Sequence, residues 1–124
     1  MKTEGKYILK DKKPVPEPDL MKWAEWMEES PLKKSVGLDE FGNIKVSTIF
    51  LGLDHNFGRG RPLLYETMIF GGIHDMYQTR YHTWEQAEVG HRIALKLAKS
   101  GKWPHNIAIH YFKEIIRKVK GALR

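Results

Sequence analysis

The sequence predicts an α+β domain: a mainly antiparallel sheet of four or five strands with three helices, in the order β-α-β-β-β-β-α-α. Three observations carry this. Between residues 34 and 82, short strand-like segments alternate with brief loops rich in Gly, Asn, Asp and Pro, and strands joined so closely pair antiparallel. On either side, stretches beginning at Leu20 and Trp84 repeat apolar residues at helical spacing. The length, 124 residues with 41% hydrophobic, suits a single core.

Lys6 to Lys10 reads as a short strand. The following DKKPVPEP reads as an extended connection, because each proline removes a donor and turns its predecessor away from helix. Asp19 is the expected N-cap of a first helix, with Leu20, Trp23, Ala24 and Met27 on its apolar side and Ser30-Pro31 as its end. Lys34 to Asp54 reads as a hairpin turning at Glu40-Phe41-Gly42-Asn43. Its second strand, KVSTIFLGL, looks apolar on both faces, the pattern of a central strand buried on two sides. Further strands are expected at Leu63 to Phe70 and Met76 to His82. Thr83 and Gln86 form a capping-box pattern for a helix over Trp84 to Lys99, which Gly101 ends. Pro104 then precedes a last helix, from about Asn106 to Lys120, whose apolar stripe is Ala108, Tyr111, Phe112, Ile115 and Val119.

The net charge of +6 has a location. Residues 1–98 carry fourteen basic and fourteen acidic side chains, whereas residues 99–124 carry seven basic and one acidic. The chain therefore reads as a single domain, 1–124, with a neutral α+β core over 6–98 and a basic C-terminal helical extension over 99–124. Absence of cysteine excludes a disulfide framework, a Cys-ligated zinc site and thiol catalysis. The N-terminus has no continuous apolar segment, and no run reaches membrane-spanning length. The expected location is cytoplasmic.

Several residues are candidates for chemistry, each with a plainer reading. Asp54-His55-Asn56 follows the most apolar strand and could hold a metal or activate water, or could close a turn through local backbone bonds. Phe57-Gly58-Arg59-Gly60-Arg61-Pro62 could fold amides and the Arg59 and Arg61 guanidinium groups around a phosphate. It matches no Walker or dinucleotide fingerprint, and the alternative is a mobile solvated loop. Glu66 alternates with Leu64, Met68 and Phe70, so it should be paired or have a raised pKa unless it reaches water. His91 falls at the centre of the stripe Trp84, Ala87, Ala94, Leu95 and Ala98, and should face the sheet as a hydrogen-bonded core residue or a ligand. Lys113, Arg117, Lys118 and Lys120 on the last helix could track phosphates, or simply form its outer face. The histidine spacing contains no H-E-x-x-H or H-x-H, and His105 and His110 are five apart, so no metal or other cofactor is expected.

The stretches VSTIFLGLDHNFGRGRPLLYETMIFGG and RYHTWEQAEVGH, with the opening YILKDKKPVPEPDLMKWAEW, resemble a group of small uncharacterised proteins encoded by tailed phages and prophages. The likeness spans about residues 6–98. It departs from the group at Gly-Arg-Gly-Arg and at the basic helix beyond Pro104. The resemblance implies a phage or prophage origin and action in the host cytoplasm, and brings no catalytic residues with it.

The expected role is a non-enzymatic accessory protein that binds a host macromolecule or a phosphate-bearing ligand. One alternative is a nucleic-acid-binding protein using the C-terminal helix with Arg59 and Arg61. Another is a metal-dependent or acid–base hydrolase in which Asp54, His55, Glu66 and His91 converge. The partner would be a host protein or nucleic acid, with no membrane span.

Overall fold

The computed structural model describes residues 5–29, 31–100 and 117. It is α+β, with two antiparallel sheets and two principal helices, and the first departure from expectation comes early. Strand β1 (Tyr7–Lys10) pairs with β2 (Lys13–Pro16) in a hairpin of its own, so DKKPVPEP is not a plain connection and β1 does not join the main sheet. Asp11 and Lys12 form the turn with φ of 50° and 65°, the left-handed pair that matches strand twist. A two-residue turn makes Lys10↔Lys13 a hydrogen-bonded pair. Alternation then places Pro14 and Pro16, opposite Leu9 and Tyr7, at positions where no ladder donor is needed.

Helix α1 (Leu20–Glu28) begins at Asp19, whose carboxylate accepts from Lys22 N at 3.1 Å. Trp23 Nε1 donates to Gly52 O at 3.0 Å and Trp26 meets Phe50 edge-on, ring centroids 5.8 Å apart. A short 3-10 turn, Pro31–Lys34, leads into the main sheet. Its strands β3 (Ser35–Phe41), β4 (Ile44–Phe50), β5 (Tyr65–Phe70) and β6 (Gln78–Tyr81) lie in sequence order, each antiparallel to the next. Helix α2 (Trp84–Ser100) crosses one face of all four. Thr83 Oγ1 accepts from Gln86 N at 3.1 Å, and Gln86 Oε1 accepts from His82 N at 2.9 Å. The expected capping box is present, with its return bond one residue early.

β4 is central, as expected, but it is not buried on both faces. Val46, Thr48 and Phe50 are buried, while Lys45 and Ile49 are exposed. Both helices pack on one side of the sheet, and on the other side Leu38, Ile49 and Phe70 remain exposed. The third helix of the sequence reading, with Lys113, Lys118 and Lys120, lies outside the described residues; Arg117 is an exposed helical residue. No described helix is long and apolar enough to cross a membrane.

The covered face is not uniformly apolar. Val46 and Ile69 pack with Ala94, Leu97 and Ala98 towards the end of α2, and Phe50, Leu64, Tyr65 and Tyr81 pack with Ala87 near its start. Between these clusters the pairing aligns Gly37, Thr48, Thr67 and Thr79 in one row across all four strands. His91 of α2 lies on that row. Its ring occupies the space where a side chain at residue 37 would sit: a Cβ there would be 2.8 Å from Cδ2 and Nε2. Gly37 is therefore what lets the helix bring an imidazole down onto the strands.

Candidate functional site

Two places concentrate polar chemistry, and they lie in different parts of the fold. The first is the row beneath α2. His91 Nε2 is 2.7 Å from Asp39 Oδ2, and Nδ1 is 2.7 Å from Thr48 Oγ1, which is 2.5 Å from Thr67 Oγ1. With the ring neutral, Nε2–H donates to the carboxylate, Thr48 donates to Nδ1, and Thr67 donates to Thr48. Carboxylate, imidazole and hydroxyl stand in the order of a nucleophilic triad, but the hydroxyl is Thr48, which is fully buried, as is Thr67. No substrate atom can reach it. Asp39, His91, Thr48 and Thr67 thus satisfy one another, with both threonines and His91 buried and Asp39 about half exposed.

Tyr81 borders this row. Burial, the largest influence, pushes its phenol above the ordinary value, and the Thr67 and Thr79 hydroxyls only partly oppose this. They lie near enough to act on its charge, yet Tyr81 Oη makes no hydrogen bond of ordinary geometry. Tyr65 is likewise pushed up, by burial first and then by Glu85.

The second place is the loop from Asp54 to Pro62, between β4 and β5. Asp54 accepts from Asn56 N at 2.7 Å and Leu63 N at 3.0 Å on Oδ1, and from Gly58 N at 3.0 Å on Oδ2. Asn56 Nδ2 donates to Arg59 O at 2.8 Å and to Arg61 O at 2.9 Å. The loop's base is held as well: Asp54 N donates to Gly5 O and His55 N to Leu63 O, and His82 Nδ1–H donates to Pro62 O at 2.8 Å. These bonds close the loop into a ring built around two side chains. At its tip Phe57 is 80% exposed with φ of 53°, and Arg59 and Arg61 are exposed with no ion-pair partner among the described residues.

Asp54 thus serves the loop's backbone. Burial, the largest single influence, acts to raise its pKa, but the N–H groups of Asn56, Gly58 and Leu63, aided by His55, hold it below the ordinary 3.8. A carboxyl depressed on folding stabilises above its unfolded pKa, and that contribution disappears as pH falls through the folded value. Asp54→Ala should cost about 2 kcal/mol at neutral pH, from three lost backbone bonds. Thermal unfolding of parent and variant should converge as the pH drops below 3.8.

The four residues of the hydrolase reading do not converge. Asp54 and His55 belong to the loop, and His55 Nδ1–H donates to Leu53 O at 2.9 Å. Glu66 stands on the uncovered face, where it accepts from Arg80 Nε at 3.0 Å and from Gln78 Nε2. It is paired, as expected, but across strands. His91 lies on the opposite face of the sheet. Among the described residues no group of three His, Cys, Asp or Glu could hold a metal ion.

Helical spacing in the sequence points to His91 but not to its partners Asp39, Thr48 and Thr67. A signal existed: V-x-T-x-F over Val46–Phe50 and Y-x-T-x-I over Tyr65–Ile69 each set a threonine between large apolar residues at strand spacing. Such a threonine is buried and needs a partner. Comparison with protein-family models, with curated proteins and with solved structures returns no match to this chain.

Proposed function

We propose that the protein is a non-enzymatic accessory protein of phage type that holds a phosphate-bearing ligand against the loop 54–62. The observation that carries this is Phe57 itself. A non-glycine residue in left-handed backbone costs about 1–2 kcal/mol, and an aromatic left 80% exposed recovers little by burial. The five bonds from Asp54 and Asn56, at about 0.5–1.5 kcal/mol net each, outweigh that strain and keep the ring in water. A loop fastened so as to display an aromatic beside two arginines suits recognition, since guanidinium groups grip phosphate oxygens in pairs. The internal bonding of Asp39, His91, Thr48 and Thr67 favours binding over hydrolysis as the protein's role.

The test is titration with inorganic polyphosphate and with nucleic acid at two salt concentrations, comparing the parent with Arg59→Gln/Arg61→Gln. The variant should bind more weakly, with a salt slope shallower by about 1.4 if both contacts are to a single strand. Unchanged affinity and slope would reject the loop as the site. A second measurement addresses the strain. Phe57→Asn places a residue tolerant of left-handed backbone at the tip, so denaturant unfolding should show a gain of about 1 kcal/mol while nucleic-acid binding weakens. A loss of stability would mean that Phe57 serves the fold.

A further inference from the structure

We infer that the ligand of this loop is single-stranded nucleic acid, with a base stacked on the Phe57 ring and neighbouring phosphates on Arg59 and Arg61; the inference rests on the phosphate reading above. A phosphate alone has no use for a large apolar ring in water, whereas every base has a flat face that stacks on one. The order Phe-Gly-Arg-Gly-Arg sets the three functional side chains at alternate positions. Gly58 and Gly60, at φ of 78° and 103°, separate them without a Cβ. A Cβ at Gly58 would meet nothing within 4 Å and one at Gly60 would meet Asn56 Nδ2 at 3.8 Å, so the backbone between ring and arginines is uncrowded. The His55 ring, 6.4 Å from Phe57 and tilted by 45°, adds a second surface at the same tip. Asn56 ties the Arg59 and Arg61 carbonyls inward, leaving their side chains to reach the strand.

Two features favour a single strand over a duplex. Bases in a duplex are already stacked, so a ring such as Phe57 engages them only after a step is opened. A duplex binder also tracks many phosphates, whereas this loop offers two guanidinium groups.

The experiment uses the full chain and three probes: an oligothymidylate of about a dozen nucleotides, its duplex with oligoadenylate, and inorganic polyphosphate. The parent should bind the single strand more tightly than the other two. Phe57→Ala should weaken single-strand binding by roughly tenfold or more and leave polyphosphate binding unchanged, while Phe57→Trp retains it. Arg59→Gln/Arg61→Gln should weaken both. Full single-strand affinity in Phe57→Ala, or equal affinity of the parent for the duplex, overturns the base-stacking inference. If the arginine variant still loses polyphosphate, the phosphate reading survives that outcome. Failure of the parent to bind any of the three overturns both.

Discussion

Gly90→Ala should lower the melting temperature by on the order of 15 °C, corresponding to a loss of about 3 kcal/mol in a domain of this size. In an exposed helix the same change would raise stability by about 1 kcal/mol, because alanine is the better helix former. Here packing reverses the sign. A Cβ on Gly90 would overlap the phenol oxygen and ring carbons of Tyr81, and Tyr81 is 2% exposed in the cluster with Phe50, Leu64, Tyr65 and Ala87. The ring has nowhere to retreat. In a Tyr81→Ala background the obstacle is gone, and Gly90→Ala should become stabilising by the helix term of about 1 kcal/mol. Thermal or denaturant unfolding of the four proteins gives the cycle. A rise in melting temperature for the single Gly90→Ala protein would mean that α2 does not lie on β6 as described.

The second large effect is expected at His91. Sequence reasoning allows His91→Leu to be tolerated if the residue only packs, but both ring nitrogens are bonded. Leucine would withdraw one of the two partners of Thr48 in the dry part of the row and one partner of Asp39, which water can partly replace. The expected cost is about 2 kcal/mol, within the range for stranding buried polar groups. Thr48→Val should cost a similar amount by stranding Nδ1. Removing the whole row is a different matter: His91→Leu with Thr48→Val and Thr67→Val leaves no orphan among these three and should be less destabilising than His91→Leu by itself. Gly37→Ala should also destabilise, because its Cβ displaces the imidazole. Equilibrium denaturation of these proteins checks the set. A triple variant that loses the sum of its single effects would show that the row is held by independent contacts.

Sequence by itself determined the local elements here. The Asp19 cap, the Thr83–Gln86 cap and the antiparallel order of the strands over 34–82 follow from interactions within a few residues and lie where their patterns indicate; the turn expected over Glu40–Asn43 is tighter, at Gly42-Asn43, with Glu40 and Phe41 in β3. His91 was legible for the same reason: helical spacing fixes which side of α2 it shares with Ala87 and Ala94. Proline spacing in KPVP misled, because only the register of the β1–β2 hairpin shows that Pro14 and Pro16 miss the donor positions. The face of β5 was ambiguous, since Tyr65-Thr67-Ile69 and Met68-Phe70 are both largely apolar. Tertiary structure decided it by covering one side with α2, which left Glu66 outside and brought Thr67 into the row. The loop was decided in the same way. Asp54 and Asn56 are ordinary turn residues in the sequence, and only the closure between the ends of β4 and β5 aims their side chains at Gly58, Leu63, Arg59 and Arg61. Contacts across long stretches of chain depend on which faces meet, and that is settled when the helix lands on the sheet.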